Sequence, residues 1–192
     1  MRFIAQVFFA AIATASFALT GCQQYAKAPQ PTTSQVQDAQ NFSLEGKIGI
    51  KTPKQSGSAF YTWQQNNENF DIQLTGILGI GKTVIEGKSG QVTLNSAKTG
   101  EITAETPEEL LERATGWVAP ITHIVDWVQA KPATTTAKVD KDEQQRPTHI
   151  AEDGWTVDLS YNDAAALPNK LILKQALEAG QENRITMIIQ NR

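Results

Sequence analysis

Residues 70–87 read Phe-Asp-Ile-Gln-Leu-Thr-Gly-Ile-Leu-Gly-Ile-Gly-Lys-Thr-Val-Ile-Glu-Gly. Phe70, Ile72 and Leu74 alternate with polar residues, the period of a strand with one buried face. Gly76 to Thr83 matches G-x-x-x-x-G-K-S/T, the loop that cradles phosphates in nucleotide-binding proteins. That loop works only where a helix starts at the Lys, so that its first amides and its dipole meet the phosphates. Here Val84-Ile85-Glu86 follows, rich in β-branched residues, and then Gly87. The stretch is therefore two antiparallel strands around a glycine-spaced tip, and nucleotide binding is rejected.

The same pattern extends to both sides. Leu44, Ile48 and Ile50 mark one strand and Ala59-Phe60-Tyr61-Thr62-Trp63 the next. Val92-Thr93-Leu94 and Ile102-Thr103-Ala104 follow at short spacing, with Gly87, Gly90 and Gly100 read as turn residues. Short strands joined by tight turns predict an antiparallel sheet rather than alternating βαβ units. The middle of the chain reads as helix. Thr106-Pro107-Glu108-Glu109 supplies a cap, a proline at the first position and a capping-box glutamate, and Gly116 ends the segment. A second helix is predicted from Pro120, with Ile121, Ile124, Val125 and Val128 on one face, stopped by Pro132. Residues 133–147 are polar and read as a loop or irregular hairpin. Strands return at Trp155–Leu159, Leu171–Leu173 and Ile185–Ile189. The expected fold is mainly β with short helices. Two short helices cover only part of a large curved sheet, which leaves room for an apolar cavity.

The tip between the two quoted strands is unusual. Hairpin tips meet water and are normally polar. Here Ile77, Leu78 and Ile80 stand among Gly76, Gly79 and Gly81. An aliphatic tip implies contact with something apolar: the protein's own core, a partner, or lipid.

The beginning of the chain sets compartment and anchor. Met1-Arg2-Phe3 leads into an apolar run ending at Leu19-Thr20-Gly21-Cys22, and Cys22 is the only cysteine in 192 residues. A basic start, an apolar stretch and small residues at its end make a secretory signal, too short for a membrane span. Leu-Thr-Gly-Cys resembles the lipobox of bacterial lipoproteins. That resemblance implies cleavage after residue 21 and acylation of Cys22. Two lipid signals already give stable anchoring, so the mature chain is expected to be tethered to a membrane without spanning it. Gln23, in place of the Asp that retains such proteins in the inner membrane, favours the outer one. Residues 22–40, rich in Gln, Ala, Pro, Thr and Ser, read as a flexible tether, and 41–192 as the folded domain. The whole chain carries 17 Lys and Arg against 20 Asp and Glu, without the clustered basic surface that nucleic acid requires.

Taken in order, further pieces resemble the LolB family of outer-membrane lipoprotein receptors. They are Leu44-Glu45-Gly46-Lys47-Ile48-Gly49-Ile50, Phe60-Tyr61-Thr62-Trp63-Gln64-Gln65 and Gly76-Ile77-Leu78-Gly79. Then come Glu109-Leu110-Leu111, Gly116, Pro120, Trp127-Val128, Gly154-Trp155, Leu167-Pro168 and Arg184-Ile185. The chain departs from the family at Ile77, where Pro is usual. It departs again at Ala130-Lys131-Pro132, where a Gly usually precedes the Pro, and at Asn191-Arg192, where many members carry a Trp.

The resemblance implies a half-open antiparallel β-barrel capped by helices over an apolar cavity. It implies that lipoproteins arrive on a LolA-type periplasmic carrier, that their acyl chains are bound, and that they pass to outer-membrane phospholipid without ATP. The domain would face the periplasm and act as a monomer. It also implies that the protruding Leu78 serves membrane insertion, and Ile77 and Ile80 beside it share the aliphatic tip. Trp63, Trp117, Ile121, Ile124, Val125, Trp127, Val128 and Trp155 are candidates to line the cavity or form a lid, against the ordinary alternative that aromatics and helix faces fill the core.

No catalytic residue, metal ligand or cofactor is assigned. His123 and His149 lack the spacing of a triad or a metal site. Asp140-Lys141-Asp142-Glu143 begins like a calcium loop, but Gln145 stands where Gly is needed. The competing expectation is an outer-membrane assembly lipoprotein that binds other proteins through its sheet and needs no acyl cavity.

Overall fold

The structure, a computed structural model, describes residues 41–76 and 81–192. Strands β1 (Asn41–Lys51), β2 (Ser56–Asn66), β3 (Asn69–Thr75), β4 (Lys82–Lys88), β5 (Gln91–Ser96) and β6 (Gly100–Ala104) run as a meander. Helices α1 (Pro107–Thr115) and α2 (Ile121–Trp127) follow. A second meander comprises β7 (Lys138–Lys141), β8 (Pro147–Glu152), β9 (Trp155–Ser160), β10 (Lys170–Ala176) and β11 (Glu182–Asn191). All belong to one antiparallel sheet in the order β6-β5-β4-β3-β2-β1-β11-β10-β9-β8-β7. β6 and β7 are its two free edges. The sheet is thus an open, barrel-like antiparallel surface, and the helices carry the chain from one edge to the other. Lys82 opens a strand rather than a helix, as the β-branched residues after it require.

The seam between the meanders is β1 against β11, with Ile48 opposite Met187 and Ile50 opposite Ile185. The register shifts between Glu45 and Gly46. At Gly46 the backbones approach so closely that a Cβ would overlap the Ile188 carbonyl oxygen and meet the Tyr61 ring at 3.2 Å. Only glycine fits there. The β8–β9 hairpin turns on Asp153 (φ 48°) and Gly154 (φ 76°), the pair that a type I′ turn demands.

The inward residues of β1, β2 and β8–β11 form the main core with α2. Leu44, Trp127, Val128, Ile150, Leu171 and Leu173 in it are wholly buried. A smaller cluster of Val92, Ala104 and Leu110 lies between β5, β6 and α1. α1 has the predicted ends. Thr106 Oγ1 accepts from the Glu109 amide at 3.2 Å, Pro107 opens the helix, and left-handed Gly116 closes it by donating to the Glu112 carbonyl at 2.7 Å. α2 ends in a Schellman motif, with Lys131 N donating to the Asp126 carbonyl and Ala130 N to that of Trp127. Ala130 itself takes the left-handed conformation (φ 56°) that usually calls for glycine.

Two elements differ from the sequence reading. The polar stretch 133–147, read as a loop or irregular hairpin, holds β7 and the turn of such a hairpin, with a register shift between Asp140 and Lys141, while β8, unmarked in the sequence reading, is a regular strand with Ile150 and Glu152 buried. Gly87 lies within β4, paired with Phe70, and not in a turn.

Candidate functional site

The two cores are separate clusters bridged by Phe70, which packs against both. Between them the concave face of the sheet is covered by α1 and leaves a cavity of about 320 Å³. Its floor is Ile72, Leu74, Ile85 and Leu94 from β3, β4 and β5; Leu111 and Ala114 of α1 form the roof. The alternation of apolar and polar residues along each strand delivers these side chains to one face, and the amphipathic α1 turns its aliphatic side onto them. The walls are mainly hydrocarbon, with Thr83, Gln55 and the Ser96–Thr99 turn supplying polar groups at one end.

A second cavity of about 580 Å³ adjoins it. Trp63 of β2 and Val125 of α2 give it apolar walls, while Glu68, Lys88, Asp126 and Lys131 bring charge to its margin. Both volumes lie in the range of roughly 300–1,000 Å³ typical of ligand sites. Phe70, Ile72, Pro107 and Ile121 line both cavities. The smaller cavity opens toward the sheet end that holds the β1–β2 and β5–β6 turns, through Gln55 and Lys98. Gly76 and Gly81 stand at that same end, where Gly76 N donates to the Gly81 carbonyl at 3.4 Å. The larger cavity opens at the opposite end, by the β2–β3 and β4–β5 turns.

Hydrogen bonds fix the surrounding helices. Glu108 of α1 accepts from the Thr122 amide at 2.7 Å and from its hydroxyl at 2.9 Å, joining the two helices at the edge of the larger cavity. Buried Glu152 accepts from Trp127 Nε1 at 2.6 Å, Ala133 N at 3.0 Å and Thr134 N at 2.7 Å. Burial pushes that carboxyl up, but these donors outweigh it and hold it below the usual carboxylate range. Asp126, whose burial dominates, is shifted upward despite the opposing charges of Lys131 and His123.

Of the residues singled out in the sequence, Trp63, Ile121 and Val125 line the larger cavity, and Ile121 the smaller one too. Ile124, Trp127, Val128 and Trp155 are packed in the main core. Trp117 is half-buried against that core, 6.4 Å from the Trp155 ring. Cys22, Ile77, Leu78 and Ile80 lie outside the described residues. Leu74, Ile85, Leu94 and Leu111, the walls of the smaller cavity, were legible as inward-facing residues, but their pattern does not separate a cavity wall from a filled core.

The histidines serve the scaffold. His123 Nε2 sits 2.8 Å from Asp153, and His149 Nδ1 2.8 Å from Asp158, which Lys174 also contacts at 2.8 Å. The calcium-like stretch is a turn in which Asp142 accepts from the amides of Gln144 and Arg146 and from Arg146 Nε. Among the described residues no three His, Cys, Asp or Glu converge as a metal site. No helix among them is long and apolar enough to cross a membrane.

Residues 40–191 match the family model described as outer membrane lipoprotein LolB. The chain belongs to the LolB family. It is 35% identical over 162 residues to the outer-membrane lipoprotein LolB of Stutzerimonas stutzeri, covering 82% of this chain and 76% of that one. The LolB of Pseudomonas putida is 34% identical over 162 residues, covering 82% and 77%. Among solved structures, a LolA superfamily protein from Nitrosomonas europaea aligns with a TM-score of 0.46 and 15% identity, covering 81% of this chain and 91% of that one. The match to LolB spans the described domain from β1 to β11, so the cavities belong to the part shared with the family.

Proposed function

We propose that this LolB-family domain takes lipoprotein acyl chains into the cavity between its two cores and releases them into the outer membrane. It is an outer-membrane lipoprotein receptor that acts in lipoprotein localisation. The observation that carries the binding step is the mainly hydrocarbon cavity under α1, open at one end. A core-filling sheet would have no such volume, and a protein-binding assembly module would not need it. Each buried methylene contributes about 0.8 kcal/mol, so acyl chains supply ample affinity without ATP. The direction of transfer then follows from differences in burial between donor, receptor and bilayer.

In this reading the donor is a LolA-type periplasmic carrier and the acceptor is phospholipid of the outer membrane. Cys22 is the lipidated anchor, residues 22–40 are the tether, and the domain works as a monomer facing the periplasm. The aliphatic residues Ile77, Leu78 and Ile80 enter the boundary of the bilayer. The domain is a binder and performs no covalent chemistry. The test mixes residues 23–192, cut free of the anchor, with a carrier loaded with a lipoprotein, and asks which protein the lipoprotein co-purifies with. Transfer to this chain is the expected result. A folded domain that takes nothing from a competent carrier refutes the receptor reading and favours the assembly module.

A further inference from the structure

Gly87 is the one glycine of the β3–β4–β5 floor that sits inside a strand, directly opposite Phe70. It does not have a left-handed backbone to explain it. Its neighbour does. A Cβ at Gly87 would overlap the Phe70 ring at Cε1 and Cζ and approach Cδ1 at 2.7 Å. The ring therefore occupies the space of the missing side chain and lies down on the sheet. Phe70 is also one of the few residues lining both cavities, facing Pro107 and Ile121 from the helices. It joins the two packed clusters as well, being in contact with each.

We propose that Gly87 keeps the two cavities continuous, by letting the Phe70 ring lie flat on the floor of the neck between them, so that one acyl chain can thread from one to the other. This rests on the acyl-binding reading above. With any side chain at position 87 the ring must lift off the sheet, toward Pro107 and Ile121, which line both cavities with it. Phe70 is then a residue that sets how far a chain penetrates, and Gly87 a positioning residue acting through it. The passage joins a mouth at Gln55 and Lys98 to a mouth rimmed by Glu68, Lys88 and Lys131, so a chain could enter at one end and leave at the other.

The test uses the full-length protein in phospholipid nanodiscs and a long-chain fatty acid with a photoreactive group at its methyl end. Crosslinked positions are mapped by mass spectrometry. In the unaltered protein adducts are expected on walls of both cavities, such as Leu94 and Leu111 on one side and Trp63 and Val125 on the other. Gly87→Ala should confine them to one cavity, with at least a tenfold fall in the other, and Phe70→Ala added to it should restore both. Phe70→Trp, which fills the neck with Gly87 intact, should confine them equally and serves if Gly87→Ala fails to fold by its thermal melt. Adducts in one cavity only in the unaltered protein, or an unchanged distribution in the folded variants, would overturn the proposal. An unaltered, folded protein that takes no probe in either cavity overturns the acyl-binding reading first, and this inference with it.

Discussion

Glu152→Gln isolates what holds α2 and its exit to β7 in place. The carboxylate is 6% exposed and accepts three hydrogen bonds. Oε1 takes the Trp127 indole and the Ala133 amide; Oε2 takes the Thr134 amide. Glutamine keeps the shape but has one acceptor oxygen. Whichever way its amide is turned, an N–H₂ group faces at least one N–H donor. Hydrogen bonds to a charged group are worth about 1.5–3 kcal/mol, and stranding a buried donor costs about 1–3 kcal/mol more. A loss of roughly 2–4 kcal/mol is expected on those magnitudes, since side-chain adjustment recovers part of it. Urea denaturation monitored by tryptophan fluorescence would measure it. The pH dependence adds an independent check. The folded pKa is depressed, so the native state stabilises the ionised form. That contribution is present above the unfolded pKa and is lost as pH falls through the folded value. Wild-type stability should therefore decline on the acid side more steeply than that of Glu152→Gln, and the two curves should converge at low pH. A variant within 0.5 kcal/mol of wild type, or parallel acid limbs, would refute the assignment of Glu152 as the clamp.

Gly46→Ala should cost at least about 3 kcal/mol, because the new methyl meets the Ile188 backbone and not a movable side chain; a melt reads it. Ala130→Gly should stabilise the domain by about 1 kcal/mol, by relieving a left-handed alanine at the end of α2, and an unchanged denaturation midpoint would count against that account. Leu111→Trp should fill the smaller cavity and lower lipoprotein uptake from a loaded carrier at least tenfold with stability unchanged or raised; undiminished uptake in a folded variant would place the acyl chains elsewhere. Leu78→Glu should leave acceptance from the carrier intact and block delivery to vesicles, as seen by flotation of the cargo; normal delivery would remove the insertion role from the loop.

The alternation of Phe70, Ile72 and Leu74 along β3 was legible in the sequence and turns those residues toward the cavity, whereas β2 was legible as a strand but not in its facing, since Phe60 is 58% exposed between buried Ala59 and Tyr61. The ends of α1 were legible too, since capping is a local transaction among Thr106, Pro107, Glu109 and Gly116. β7 and β8 were not. β7 is a charged edge strand with Val139 as its only large apolar residue, and β8 turns Glu152 inward where a hydrophobe would be expected. Its burial makes sense only once Trp127 and two amides from elsewhere in the chain surround it.

The amino-acid sequence by itself determined the antiparallel meander, the two helices and the family. Each depends on neighbours in the chain or on motif order. Only the tertiary structure decided which of the apolar residues pack and which line empty space. Trp127 and Trp63 are alike in sequence terms and both are buried in the main core, yet Trp63 also lines the larger cavity and Trp127 does not. The difference arises because α1 and α2 are too small to fill the concavity of an open eleven-stranded sheet. The volume left over is a property of how distant elements fail to meet, and no local pattern encodes it.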